Sequence, residues 1–87
     1  MTDASNASLT MYTTSWCGYC VRLKTVLKAN RIAYEEINIE KDPSAAEFVS
    51  SVNNGNRTVP TVKFADGSTL TNPSAAQVKQ KLTELAS

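Results

Sequence analysis

The chain contains two cysteines, Cys17 and Cys20, placed three positions apart. At the start of a helix this spacing allows the two thiols to form a small disulfide ring. Because the ring encloses so few residues, it removes little conformational entropy from the unfolded chain and adds little stability. A C-x-x-C pair beside a strand–helix–strand pattern is more typical of thiol–disulfide exchange. We therefore predict Cys17, favoured as a thiolate at a helix N-terminus, as the nucleophile and Cys20, one turn further in, as an auxiliary thiol.

Two other interpretations of the cysteine pair are inert thiols and one half of a zinc site. A structural zinc ion takes four ligands, and the sequence has no third cysteine and no histidine. The lack of histidine also argues against cysteine–histidine proteases and Ser-His-Asp hydrolases. The redox interpretation is therefore favoured, and no metal site is expected.

Length and charge limit the size of the protein and the partners that suit it. Eighty-seven residues are enough for one small domain with a thin core. A net charge of +1 gives no general attraction to nucleic acid or membranes. Residues 1–8 lack the basic and apolar regions of a signal peptide. We expect them to form a disordered tail on a cytoplasmic, monomeric protein whose single domain spans residues 9–87.

Apolar periodicity predicts seven secondary-structure elements. Strands are expected at residues 9–14, 33–39 and 59–64, with a short partner at 68–71 after an Asp66–Gly67 turn. Helices are expected at about residues 18–30, at about 43–52 and after Pro73. Asp42 would cap the second of these helices, with Pro43 at its first position, and Gly55 would follow its end in a left-handed conformation. The order β-α-β-α-β-β-α predicts an α/β fold with a four-stranded mixed sheet flanked by three helices. The cysteines then follow the first strand, at the carboxyl edge where open α/β sheets hold their chemistry.

Helical spacing also selects the residues that should be buried. The inner faces of the three helices are expected to carry Cys20, Leu23 and Leu27; Ala45, Phe48, Val49 and Val52; and Ala75, Val78, Leu82 and Leu85.

Three motifs make the chain similar to glutaredoxins, a branch of the thioredoxin superfamily. They are Trp16-Cys17-Gly18-Tyr19-Cys20, Arg57-Thr58-Val59-Pro60 and the Asp66–Gly67 turn. They occupy the places of that family's dithiol, cis-proline segment and β-turn. The stretches 12–20 and 56–74 more closely resemble mycoredoxins, the actinobacterial glutaredoxin-like proteins that work with mycothiol instead of glutathione. The resemblance covers nearly the whole chain after residue 8 and implies a thioredoxin/glutaredoxin-like fold.

Two positions depart from many glutathione-using glutaredoxins. Thr14 stands where those proteins have a lysine, and Thr71–Asn72 stands where they have two glycines. Both differences argue against an ordinary glutathione site. Trp16, directly before the first cysteine, is a thioredoxin-like feature.

The resemblance also implies roles for residues around the cysteines. Pro60 would be a cis proline that presents the Val59 backbone for strand-like pairing with a substrate; by composition alone, a trans proline at an edge strand is the alternative. The other substrate-binding candidates are Trp16, Tyr19, Arg57, Thr58, Asn72 and Ser74. Each also has a simpler interpretation, as a surface or packing aromatic, a solvated loop residue or a helix cap.

The activity implied is reduction of mixed disulfides between proteins and mycothiol. Cys17 would take the small thiol from the substrate protein, and a second mycothiol would regenerate Cys17. The resemblance implies mycothiol as co-substrate without a tightly bound cofactor, and S-mycothiolated proteins and, indirectly, mycothiol disulfide reductase as partners. Two alternatives remain open. One is a dithiol donor that is reduced by thioredoxin reductase and serves an enzyme such as ribonucleotide reductase. The other is a carrier in which two chains and two small thiols hold an iron–sulfur cluster.

Overall fold

A computed structural model describes residues 9–86; the tail expected at residues 1–8 lies outside the described residues. The predicted order of seven elements is confirmed. They are β1 (Leu9–Thr13), α1 (Gly18–Ala29), β2 (Tyr34–Asn38), α2 (Pro43–Val52), β3 (Thr61–Phe64), β4 (Thr69–Thr71) and α3 (Ala75–Ala86). β3 begins later than predicted, at Thr61, because Pro60 has no N–H to donate to a neighbouring strand.

The sheet has the strand order β2-β1-β3-β4, so β1 is paired on both sides. β1 runs parallel to β2, with Thr13 beside Asn38 at the carboxyl end of the pair. β1 runs antiparallel to β3, with Met11 beside Val62, and β4 extends the sheet antiparallel to β3. The mixed sheet predicted from the sequence is therefore present, and the loop that carries the cysteines leaves a central strand.

Side chains of β1 alternate between two hydrophobic clusters, one on each face of the sheet. Met11 is buried with residues of α1, β3 and α3, namely Leu23, Leu27, Val62, Phe64 and Val78. Tyr12 is buried on the opposite side with residues at the end of β2 and in α2, namely Ile39, Ala45, Ala46 and Val49. Its ring lies 5.3 Å from that of Phe48, centroid to centroid. The helices thus cover both faces of the sheet.

The predicted burial of Val52 and Leu85 is wrong. Each side chain is 38% exposed. Val52 is the last residue of α2, and Leu85 lies in the final turn of α3. Periodicity assigns a residue to a face of a helix, but it does not show how far along the helix the packing extends.

Both ends of α2 lie where the sequence predicts them, and neighbouring residues explain why. Asp42 caps this helix by accepting the N–H of Ala45 at 3.1 Å, and Pro43 follows at the first helical position. Gly55 ends the segment with a positive φ of 91°, the left-handed conformation expected of it. None of the helices in the described part of the chain is long and apolar enough to cross a membrane.

Candidate active site

The two cysteines lie at the first turn of α1 and are joined by a disulfide bond. Cys17 is the N-cap residue, with an extended backbone, and its Sγ accepts the backbone N–H of Cys20 at 3.0 Å. The Cα atoms are 5.2 Å apart, within the ordinary range for a disulfide. The helix therefore begins at the residue predicted, and it brings both sulfurs to its N-terminus.

Burial distinguishes the two cysteines. Cys17 is 5% exposed and Cys20 1%. Cys20 is on the buried side of α1 with Leu23 and Leu27, as its spacing predicted. Cys17 stands at the end of the loop, next to two exposed residues, Trp16 and Gly18. A substrate that approaches from solvent therefore reaches the neighbourhood of Cys17 first.

The helix N-terminus supplies the electrostatic field at Cys17. The partial positive charge of the first turn and the Cys20 N–H both favour a negative sulfur at the N-cap position. The first turn of α1 contains no acidic residue that would oppose them. The position of Cys17 therefore suits a thiolate nucleophile.

Two aromatic side chains flank the cysteines and face solvent. Trp16 is 74% exposed and Tyr19 is 65% exposed. Trp16 is thus a surface aromatic and not a packing one, although its indole N–H is held by the Glu40 carboxylate at 3.1 Å. Sequence reasoning missed this partner, because Glu40 belongs to an acidic run that looks like a solvated surface.

The peptide bond between Val59 and Pro60 is cis, as the family resemblance implied. Pro60 is buried, and its carbonyl oxygen accepts the backbone N–H of Asn72 at 2.7 Å. The carbonyl oxygen of Thr58 accepts the Thr61 hydroxyl at 2.7 Å. Within residues 9–86, the backbone N–H and carbonyl of Val59 have no hydrogen-bond partner. This half-buried residue therefore keeps both backbone groups available for pairing.

Asn72 and Ser74 differ in what they do. Ser74 caps α3: its hydroxyl accepts the Gln77 N–H at 3.1 Å, and the Gln77 side chain accepts the Ser74 N–H at 2.8 Å. The Asn72 side chain caps none of the described helices, and the residue adopts a left-handed conformation, with φ 48°. Helix capping thus accounts for Ser74 but not for Asn72.

A cavity of about 330 Å³ lies between α1 and the start of α3. Tyr19, Asn72 and Ser74 share its wall, so three of the predicted binding residues come together beside the cysteines. Leu23 and Val26 give the cavity an apolar floor, and Arg22 is its one basic lining residue. Arg57 is not part of this group, because it lines a different cavity of about 420 Å³ together with Glu40 and residues of α2. The predicted binding residues therefore do not all line one cavity.

The described residues contain no group of three or more histidine, cysteine, aspartate or glutamate side chains that could hold a metal ion. The chemistry that the site offers is that of its two sulfurs. A dithiol at a helix N-terminus and a cis-proline segment with an unpaired backbone together resemble a thiol–disulfide exchange site.

A family model described as Glutaredoxin matches residues 9–68. The chain belongs to the glutaredoxin family. As a glutaredoxin, it is a thiol oxidoreductase with a C-x-x-C pair at Cys17 and Cys20.

Two relatives match this glutaredoxin over almost their whole length. One, from Mycobacterium tuberculosis and named for the glutaredoxin family, is 75% identical over 80 residues, which are 92% of this chain and 95% of the relative. The other is Mycoredoxin 1 of Corynebacterium glutamicum, which is 45% identical over 80 residues, or 92% of this chain and 99% of the relative. The resemblance to mycoredoxins in the sequence is thereby confirmed.

Solved structures show the same fold. A thioredoxin-like protein superposes on this glutaredoxin with a TM-score of 0.71 at 30% identity, over 83% of this chain and 96% of the other. The glutaredoxin of Archaeoglobus fulgidus superposes with a TM-score of 0.70 at 28% identity, over 85% of this chain and 84% of the other. The thioredoxin-like fold predicted from the element order is therefore confirmed.

Proposed function

We propose that this glutaredoxin reduces mixed disulfides between proteins and mycothiol, with Cys17 as the attacking sulfur. The observation that carries the chemistry is the position of Cys17 Sγ at the N-cap of α1, where it accepts the N–H of Cys20. The 45% identity to Mycoredoxin 1 supports mycothiol as the small thiol, because mycoredoxins work with mycothiol instead of glutathione. Such a reaction belongs in a reducing compartment, which supports the cytoplasm as its location.

The reaction consists of two exchanges. The Cys17 thiolate attacks the mycothiol sulfur of the mixed disulfide, and the bond between that sulfur and the protein sulfur breaks. The protein sulfur leaves as a thiolate and is protonated by water, while mycothiol remains bonded to Cys17. A second mycothiol thiolate then attacks the mycothiol sulfur on Cys17, which releases mycothiol disulfide and restores the Cys17 thiolate. Mycothiol disulfide reductase would return the disulfide to the thiol form. Cys20 takes no part in this cycle, which makes it an auxiliary thiol.

The cavity beside Tyr19 offers room for the part of mycothiol other than its sulfur. It lies next to the first turn of α1 and combines an apolar floor with polar groups from Arg22, Asn72 and Ser74. The side-chain amide of Asn72 makes no hydrogen bond to any other described residue. It is therefore able to bind a hydroxyl or carbonyl group of the ligand. We propose Tyr19, Asn72 and Ser74 as the residues that hold mycothiol.

The protein half of the substrate would bind on the other side of the sulfurs. The unpaired N–H and carbonyl of Val59 suit an extended peptide, which would add to the cis-proline segment as a short strand. Thr58 and Pro60 hold this backbone in place through their contacts with Thr61 and Asn72. Trp16 and Arg57 would provide side-chain contacts at the edge of the same surface.

The test is turnover of a mycothiol mixed disulfide and of the matching glutathione mixed disulfide, each coupled to its own reductase. We expect Cys20→Ser to retain activity with mycothiol and Cys17→Ser to have none. We expect both wild type and Cys20→Ser to be slow with glutathione. Loss of activity in Cys20→Ser with both thiols, together with reduction of the wild type by thioredoxin reductase, would contradict the proposal.

Loss of activity in Cys20→Ser, with reduction of the wild type by thioredoxin reductase, would indicate a second candidate function, a dithiol electron donor. The observation that favours it is the disulfide itself, because Cys17 and Cys20 are already placed to form the oxidised product of a dithiol reduction. In that reaction Cys17 forms a mixed disulfide with the substrate protein, and the Cys20 thiolate displaces the substrate and closes the ring. The cycle needs both thiols, so the response to Cys20→Ser separates the two functions.

A further inference from the structure

The carboxylate of Glu40 binds both residues that lead into Cys17. Its Oε1 accepts the backbone N–H of Ser15 at 2.9 Å, and its Oε2 accepts the indole Nε1–H of Trp16 at 3.1 Å. These bonds lower the pKa of Glu40, chiefly through the backbone N–H of Ser15. The carboxylate is thus ionised at neutral pH, and each oxygen holds one residue of the loop.

Asn38 completes this contact from the end of β2. Its Nδ2 donates to the Ser15 hydroxyl at 3.1 Å, and its Oδ1 accepts the backbone N–H of Glu40 at 2.8 Å. We call Ser15, Trp16, Asn38 and Glu40 together the Glu40 clamp. The clamp follows from the parallel register: Thr13 is paired with Asn38, and Ser15 and Glu40 each lie two residues further along.

Among the residues that the structure describes, few other contacts hold this loop. Its internal backbone hydrogen bond, from Cys17 N–H to the Thr14 carbonyl, is long at 3.5 Å. Trp16 is 74% exposed, so packing does not fix its ring. An aromatic ring that is exposed and yet held in one orientation binds a partner at a lower entropic cost than a mobile ring does.

We propose that Glu40 is a positioning residue for thiol–disulfide exchange at Cys17, acting on the protein half of the substrate. Its carboxylate holds the Ser15–Trp16 turn so that the indole forms a fixed contact surface beside the sulfur. The inference rests on the proposed role of Cys17, but it does not depend on which small thiol the protein uses.

The experiment uses the fully reduced protein and a peptide whose cysteine carries a coloured nitrothiobenzoate leaving group. The Cys17 thiolate bonds to the peptide sulfur, and nitrothiobenzoate departs as a thiolate that is followed by stopped-flow absorbance. The dependence of the rate on peptide concentration separates the apparent dissociation constant from the limiting rate. A second substrate, the symmetrical nitrothiobenzoate disulfide, has no peptide. The variants are Glu40→Ala and Glu40→Gln, and the matched control is Glu47→Ala, which removes a carboxylate from the same cavity without touching the clamp.

For Glu40→Ala we expect the apparent dissociation constant of the peptide disulfide to rise about three- to tenfold, with the limiting rate changed less than about twofold. Glu40→Gln keeps one acceptor oxygen and should fall between Glu40→Ala and wild type. The rate with the peptide-free disulfide should not change. Trp16 is the single tryptophan, so its fluorescence anisotropy should fall in Glu40→Ala as the indole becomes mobile.

Two results would overturn the role of Glu40. One is that Glu40→Ala behaves like Glu47→Ala in both peptide binding and anisotropy. The other is that both substrates react more slowly by the same factor while the urea midpoint falls, which is the result of general destabilisation. A failure of the proposed function would give a different result. In that case Cys17→Ser would release nitrothiobenzoate at the wild-type rate.

Discussion

Asn72 donates its backbone N–H to the carbonyl oxygen of Pro60 at 2.7 Å. This bond joins the turn before α3 to the cis-proline segment. Since Asn72 also lines the cavity beside Tyr19, the bond fixes the position of that cavity relative to the backbone of Val59. The two halves of a mixed disulfide, a small thiol and a peptide, would therefore meet surfaces held at a constant separation.

The backbone and the side chain of Asn72 can be tested separately. Asn72→Gly keeps the left-handed backbone, at φ 48°, and removes the amide. We expect it to change the free energy of unfolding by less than about 1 kcal/mol but to raise KM for the mycothiol mixed disulfide about two- to fivefold. Asn72→Val removes the amide and strains the backbone, so it should also destabilise the protein by about 1–2 kcal/mol. Urea unfolding and steady-state kinetics measure the two effects.

An unchanged KM in Asn72→Gly would show that the amide does not touch the co-substrate. The appropriate control is Asn54→Gly, which replaces another left-handed asparagine, with φ 55°, at a turn that does not line the cavity. That variant should leave KM as it is in wild type.

Asn53 should be important for stability, because its side chain joins three segments. Its Nδ2 donates to the Val49 carbonyl at 2.8 Å and to the Thr61 hydroxyl at 3.2 Å. Its Oδ1 accepts the hydroxyl of Thr71 on β4. Asn53→Ala leaves the fully buried Thr61 hydroxyl with one partner fewer, so we expect a loss of about 1–3 kcal/mol in the free energy of unfolding. Urea denaturation of the reduced protein measures it.

Asn56→Ala is the matched control for Asn53→Ala. Within the described part of the chain, the Asn56 side chain makes one exposed hydrogen bond, from Nδ2 to the Asn53 carbonyl at 3.1 Å. We expect its removal to cost no more than about 0.5 kcal/mol. Equal losses in the two variants would mean that the three-way contact of Asn53 adds nothing to stability.

Glu36 should make stability depend on acid pH. Burial alone would raise the pKa of Glu36, but hydrogen bonds from Lys24 and Thr13 and the charge of Lys24 outweigh it and hold the pKa below its usual value of 4.5. A carboxyl whose folded pKa is depressed stabilises the fold above its unfolded pKa and loses that contribution as the pH falls through the folded pKa. The free energy of unfolding should therefore decline below about pH 4.5.

Replacing the carboxyl isolates this contribution. In Glu36→Gln the negative charge that strengthens the bonds from Lys24 and Thr13, at 3.0 and 2.8 Å, is absent at every pH. We expect urea midpoints measured between neutral pH and about pH 3 to fall less steeply than in wild type. Glu35→Gln, a change at the neighbouring exposed carboxyl, is the matched control variant. The prediction fails if Glu36→Gln and wild type give parallel pH profiles.

The sequence predicted those features of the site that depend on local pattern. The spacing of Cys17, Cys20 and Leu23 gave the start and the buried face of α1, and Asp42–Pro43 gave the start of α2. The alternation around β1 predicted that strand, and the Asp66–Gly67 turn predicted the hairpin of β3 and β4. Each of these signals comes from residues within one helical turn or one strand of each other.

Contacts between segments that are far apart in the chain could not be predicted from the sequence. The bonds from Glu40 to Ser15 and Trp16 exist because the parallel register of β1 and β2 brings the two loops level. No periodicity encodes that register to the residue. The same applies to Asn53, which looks like an ordinary residue at the end of a helix, and to the bond from Asn72 to Pro60.

The burial of β1 has a consequence for how the protein can evolve. Met11 and Tyr12 fill opposite cores, so replacing either one disturbs packing that supports the whole molecule. Trp16 and Tyr19, a few positions along the chain, are exposed and can be replaced without leaving a void. Sequence change can therefore accumulate in the exposed side chains around the cysteines, while the strand that precedes them stays constant. Descendants of this protein could acquire new protein clients and still keep the same sulfur chemistry.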